Sequence, residues 1–88
     1  MDKLPKIVRI GSSGVNAHLI KRTKRVAMYL RDDGYYEVGK IKISEAEIVF
    51  GKEYPDREIY WSNEDIGNIA KTTSDLKRAE HWYKVYNS

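Results

Sequence analysis

The chain contains no cysteine. That excludes disulfide staples and thiolate-ligated zinc or iron–sulfur sites. Histidine is nearly as scarce. His18 and His81 are the only two, they lie far apart, and neither belongs to a His-Glu-x-x-His pattern, so no metal site is expected. No apolar run approaches the roughly 20 residues that span a bilayer, and no apolar stretch behind the first residues resembles a secretory signal. A cytoplasmic protein with no membrane attachment is therefore expected. Catalytic motifs are missing as well. The loop Gly11–Gly14 lacks both the Gly-Lys-Ser/Thr ending and the G-x-G-x-x-G spacing of phosphate-binding loops, and reads as a turn. The serines, histidines and carboxylates show no nucleophile elbow and no acid–base spacing. No enzyme activity and no cofactor are expected.

What is present is 88 residues, enough for one domain over 1–88. A chain of this size buries only about 60–65% of its unfolded surface, so its core is small. Leu, Ile, Val and Phe number 20, joined by seven Tyr and two Trp, which is too much apolar content for a disordered chain. The charge is unevenly laid out. Residues 1–31 hold eight Lys/Arg and one Asp, a net of +7. Residues 32–65 hold ten Asp/Glu and four Lys/Arg, a net of −6. The overall +3 thus conceals a basic third joined to an acidic third, which speaks to charged partners rather than to fold.

Along the chain, Lys6–Ile10 reads as a strand between Pro5 and Gly11. Residues 15–31 admit two readings. Leu19, Ile20, Thr23, Val26, Ala27 and Leu30 form an amphipathic helical stripe. Alternatively, two strands meet at a basic turn over Arg22–Lys24, with Val26, Met28 and Leu30 alternating on one face. Asp33-Gly34 favours the strands, because Asp-Gly suits a two-residue hairpin turn. That turn sets Tyr29 opposite Val38, Val26 opposite Ile41 and Arg31 opposite Tyr36. Tyr35–Ile43 then reads as a strand, and Ala46–Phe50 as a short strand or a helical turn. Gly51–Arg57 reads as a loop, Glu58–Trp61 as a strand, Ser62–Gly67 as a turn, and Ile69–Thr73 as a last strand. A helix capped by Thr73 or Ser74 runs to about Tyr86, with Leu76, Ala79, Tyr83 and Tyr86 on one stripe and Trp82 beside it. The expected fold is α+β: a small antiparallel, meander-like sheet with the C-terminal helix packed on one face. A β-α-β start is the alternative.

Three constellations stand out. Lys21, Arg22, Lys24 and Arg25, with Arg31 nearby, form a basic cluster suited to phosphates or an acidic partner, or simply a solvated turn. Tyr29, Tyr35, Tyr36 and Trp61 are candidates for stacking bases beside it, or for ordinary packing in a sheet. Glu45, Glu47, Glu53, Asp56, Glu58, Glu64 and Asp65 form an acidic stretch. It suits either solubility or a surface that imitates a phosphate backbone and enters a basic groove on another protein.

From Tyr35 onward the chain resembles a loose pattern in small accessory proteins of bacteriophages and mobile elements. The matching features are the Tyr-rich YYEVGKIKI, a Gly-Lys-x-x-Pro-x-x-Glu segment at Gly51, Lys52, Pro55 and Glu58, an Asn63-Glu64-Asp65-x-Gly67 turn, and the terminal helix. The resemblance covers about 55 of the 88 residues. It implies a non-enzymatic protein in the cytoplasm of a bacterial host. Such a protein would bind and inhibit a host protein or protein–nucleic-acid complex, anti-CRISPR inhibition of CRISPR effectors being the analogy for this anti-defence role. The alternatives are a module that binds DNA or RNA directly, or an oligomeric structural component pairing through the edge strand Glu58–Trp61.

Overall fold

The computed structural model describes residues 3–11 and 14–88, without the side chains of Tyr54 and Asn63. Ser12 and Ser13, half of the turn expected at Gly11–Gly14, lie outside the described residues. Five antiparallel strands form the main sheet in the order β1 (Ile7–Ile10), β2 (Val15–Arg22), β3 (Val26–Arg31), β4 (Tyr36–Lys40) and β9 (Ala70–Thr73). A single helix, α1 (Leu76–Asn87), packs against β4, β3 and β9. The architecture is the expected α+β meander with one terminal helix. Residues 15–31 form the hairpin and not the helix.

The β3–β4 register departs from the expected one by one residue. Tyr29 lies opposite Glu37, Met28 opposite Val38, Val26 opposite Lys40 and Leu30 opposite Tyr36. The cause is the turn. Arg31 N–H donates to the Tyr35 carbonyl, leaving a three-residue loop, Asp32-Asp33-Gly34, with Gly34 at φ +89°. Only this longer loop, closed by a left-handed glycine, places Glu37 on the same face as Tyr29.

That face is the first core. Ala17, Ala27, Tyr29 and Ala70 are covered by Leu4 and Trp61, with Tyr60 and Ile41 packed alongside. Small residues lie beneath the Trp61 ring for a steric reason. A Cβ on Gly39 would sit 2.7 Å from Ala70 Cβ and 2.9 Å from Trp61 Cε3. The opposite face carries Val26, Met28 and Val38 against Ala79, Trp82, Tyr83 and Tyr86 of α1. Leu76, expected on that stripe, is exposed instead. The helix cap is Asp75 rather than Thr73 or Ser74: its side chain accepts the Lys77 N–H at 2.9 Å.

Between β4 and β9 the chain leaves the sheet as a two-stranded arm. β5 (Lys42–Ser44) pairs with β8 (Arg57–Ile59), and β6 (Glu47–Val49) pairs with β7 (Lys52–Tyr54). Both ladders keep one register, so they form one ribbon interrupted at its middle. Pro55 has no N–H to offer there, and the Asp56 carboxylate takes the Ala46 N–H instead. The segment Gly51–Arg57, expected as a loop, thus contains a strand and the start of another.

Candidate partner-binding site

The basic cluster is split by a bulge. Leu19 pairs with Tyr29, but Lys21 pairs with Met28, so Ile20 is the extra residue in β2. Strand alternation would put Leu19 and Lys21 on one face. The bulge instead sends Lys21 to the helix side and turns Arg22 toward the opposite face. Lys21 Nζ lies 2.5 Å from Glu80 Oε2 and 4.4 Å from the centre of the Tyr83 ring. Arg22 grips Glu58 through two hydrogen bonds, Nη1 to Oε1 at 2.6 Å and Nη2 to Oε2 at 2.7 Å. Arg31 is engaged too, with Asp33 at 2.6 Å and Glu37 at 3.3 Å. Only Lys24 and Arg25, at the tip of the β2–β3 turn, make no side-chain hydrogen bond or ion pair among the described residues. The expected five-residue basic patch is therefore two free cations and three internally neutralised ones.

The tyrosines divide similarly. Tyr35 is exposed, with the Arg31 guanidinium 5.5 Å from its ring centre. Tyr36 is half-buried beside the helix core. Tyr29 and Trp61 are buried, their rings meeting edge to face at 5.8 Å, so neither can stack a base. Burial pushes the Tyr29 hydroxyl up to about 12, and it donates to the Pro5 carbonyl at 2.6 Å.

The acidic stretch also contains structural members. Glu58, 8% exposed, is not a surface residue. Besides Arg22 it accepts the Leu4 N–H at 2.9 Å. The Arg22 hydrogen bonds, helped by that N–H, hold its carboxyl at about 2, against an opposing effect of burial. Asp65 takes the Ser62 N–H and the Lys42 ammonium, which lower its pKa. Asp56 closes the middle of the arm. Glu45, Glu47 and Glu53 on the arm, and Glu64 in the 3₁₀ turn Asn63–Asp65, are exposed and make no side-chain contact of this kind among the described residues.

Two features escaped the sequence reading. One is Glu37, only 4% exposed, whose carboxylate gathers Tyr60 Oη at 2.6 Å, Trp61 Nε1 at 2.8 Å and Arg31. It organises the first core. The other is the arm's tip. Val49 pairs with Lys52, so Phe50-Gly51 is a two-residue turn with φ of 51° and 76°. Both positive angles mark a type I′ turn, which favours Asn-Gly and strains a phenylalanine. The Phe50 side chain is fully exposed, and Ile48 beside it is 72% exposed. Among the described residues β6 and β7 pack chiefly on each other. Together they make an apolar tip collared by Glu47 and Glu53, held away from the body of a molecule 46 Å long.

Among the described residues no group of three or more His, Cys, Asp or Glu is placed to hold a metal ion, and no helix is long and apolar enough to cross a membrane. No protein-family model, curated protein or solved structure matches this chain.

Proposed function

We propose that this is a non-enzymatic accessory protein, of the phage or mobile-element kind, that binds a host macromolecule through its projecting arm and inhibits it. A nucleic-acid-dependent defence complex is the favoured class of target. One observation carries the reading: the outer end of the ribbon, which packs chiefly on itself, presents a fully exposed phenylalanine in a strained backbone conformation. Strain of this kind persists where something other than stability keeps the residue. An aromatic anchor surrounded by polar residues is the usual make-up of an interface hot spot. The collar is anionic, which suits a basic groove. Surfaces that hold nucleic-acid phosphates are of that type, and an acidic arm entering one would displace the nucleic acid.

The test is affinity capture from bacterial lysate with the wild-type chain and with Phe50→Asn, followed by reconstitution with the identified partner. The expected result is a partner retained by the wild type, lost with Phe50→Asn, and unable to bind its own nucleic acid when complexed. A partner that binds both forms equally would refute the arm as the docking element.

A second reading is favoured by one hollow. Lys24, Arg25 and Lys40 surround Ile41, Ile43 and Tyr86 in a cavity of about 390 Å³. Three cations around an aromatic ring form a small surface for single-stranded nucleic acid.

A further inference from the structure

A second hollow lies at the foot of the arm. Leu4 and Leu19 are its apolar lining, and Lys3, Lys6 and Lys24 surround them beside Arg22, whose charge Glu58 already offsets, in a cavity of about 440 Å³. The arm's tip is its chemical complement: Phe50 and Ile48 are apolar, and Glu47 and Glu53 stand behind them and outnumber the one cation of the tip strands, Lys52. A cavity of about 150 Å³ holds a benzene ring, so this hollow has room for the Phe50 ring and part of Ile48.

The occupant cannot be the chain's own tip. Glu58, paired with Ile43 near the base of the ribbon, bonds to both Leu4 and Arg22 of the hollow. Seven residues of extended ribbon carry Phe50 about 23 Å away from that point. We infer that the arm of one copy seats its Phe50 tip in the basic-rimmed hollow of a second copy. This inference rests on the reading of the arm as a docking element and adds a second occupant for it.

The contact is heterologous, since the arm of one copy meets a different surface on the next. A tip of a few residues buries well under the roughly 800 Å² per partner of a standard interface, so the association is weak and concentration-dependent. Its charges lie at the rim, exposed to solvent, so salt weakens it. Self-association would also occupy the arm when no host partner is present, and the two occupants would compete.

Sedimentation velocity of the purified chain tests this over rising concentration, at about 50 mM and about 0.5 M salt. The expected result is a mass that grows with concentration at low salt and falls back toward the monomer at high salt. Phe50→Asn, which removes the ring without disturbing the turn, should be monomeric throughout. Lys6→Glu/Lys24→Glu, which reverses the rim at two exposed positions, should be monomeric too. Mixing the two variants supplies one intact hollow and one intact arm, so a 1:1 pair should form. A wild-type monomer at every concentration and salt would overturn the inference, as would undiminished association of Phe50→Asn or a mixture that does not pair. Host-partner capture that still depends on Phe50 would then leave the arm's docking role standing while the self-contact falls.

Discussion

The guanidinium of Arg22 and the carboxylate of Glu58 face each other fork to fork, at 2.6 and 2.7 Å, across the seam between the main sheet and the foot of the arm. The Glu58 side chain is 4% exposed and that of Arg22 24%. Oε1 also takes the Leu4 N–H, so one carboxylate ties the first described residues, β2 and β8 together. This pair draws one residue from the basic third of the chain and one from the acidic third. Part of the charge segregation seen along the sequence is thereby cancelled inside the fold.

Removing one partner strands the other. Arg22→Ala leaves a buried carboxylate with the Leu4 N–H alone, and should cost on the order of 2–3 kcal/mol of unfolding free energy by urea titration. The pair also fixes a pH dependence. The Glu58 carboxyl lies at about 2 in the folded chain against an ordinary 4.5, so the folded state holds fewer protons over that range. The pair's contribution is present in full above pH 4.5 and is lost as pH falls toward 2. The wild type should therefore lose stability through that window more steeply than Glu58→Gln. Parallel acid-unfolding curves would contradict this.

Glu37 is the second structural carboxylate. One of its oxygens receives both the Tyr60 hydroxyl and the Trp61 indole N–H, and the other receives Arg31. Burial, with the Glu37 carboxylate beside it, pushes the Tyr60 hydroxyl far above its ordinary range. Glu37→Leu would leave two ring donors unpaired in the core and Arg31 with Asp33 alone, at a cost of about 3 kcal/mol. Glu37→Gln keeps the acceptor for the rings but turns an amide toward Arg31, at a cost of about 1–2 kcal/mol. Equilibrium unfolding followed by tryptophan fluorescence measures both, and near-neutral values for Glu37→Leu would show that the hub does not matter.

The strength of local patterns decided how much of this was readable from the sequence. The helix stripe Ala79, Tyr83 and Tyr86 and the alternation in Val26–Arg31 gave the layers and the hairpin after Arg31, because each buries a face at a fixed period. The one-residue register shift was not legible. It depends on whether Asp32 belongs to the turn, and Asp33-Gly34 fits both loop lengths. That slip hid Glu37, which the expected register sets on the helix side, away from Tyr60 and Trp61. The bulge at Ile20 was equally silent, and it separates Lys21 from Leu19 and directs Arg22 to Glu58. The arm was missed because Phe50-Gly51 breaks turn chemistry: a bulky residue occupies the left-handed position where Asn or Asp is expected. A rule broken locally coincides here with the candidate site, where such a breach is expected.

Phe50 should therefore be worse for the arm than its replacements. Asn tolerates φ near 51°, so Phe50→Asn relieves a left-handed strain of about 1 kcal/mol. The outer end of the arm packs chiefly on itself, so the gain should appear in local amide exchange rather than in global stability. The Val49 and Lys52 amides should exchange about fivefold more slowly in Phe50→Asn, as that energy implies. Faster exchange would mean that the ring stabilises the turn through contacts of its own and is not held there for docking.

The basic tip gives the last prediction, and the ion pairs dictate its design. Replacing all four of Lys21, Arg22, Lys24 and Arg25 would strip the partners from Glu58 and Glu80, confusing unfolding with lost binding. Lys24→Ala/Arg25→Ala touches only cations without such partners among the described residues, and should leave stability within about 0.5 kcal/mol. If the Lys24–Arg25–Lys40 hollow takes nucleic acid, gel shifts with short single strands should give a log–log salt slope near −2, from about −0.7 per phosphate at three phosphates. The double variant should flatten that slope to about −0.7. A wild-type slope well beyond −2 would place Lys21, Arg22 or Arg31 on phosphates after all, which requires their internal ion pairs to break on binding. No shift at low salt would instead leave the acidic arm as the surface through which the chain meets its partner.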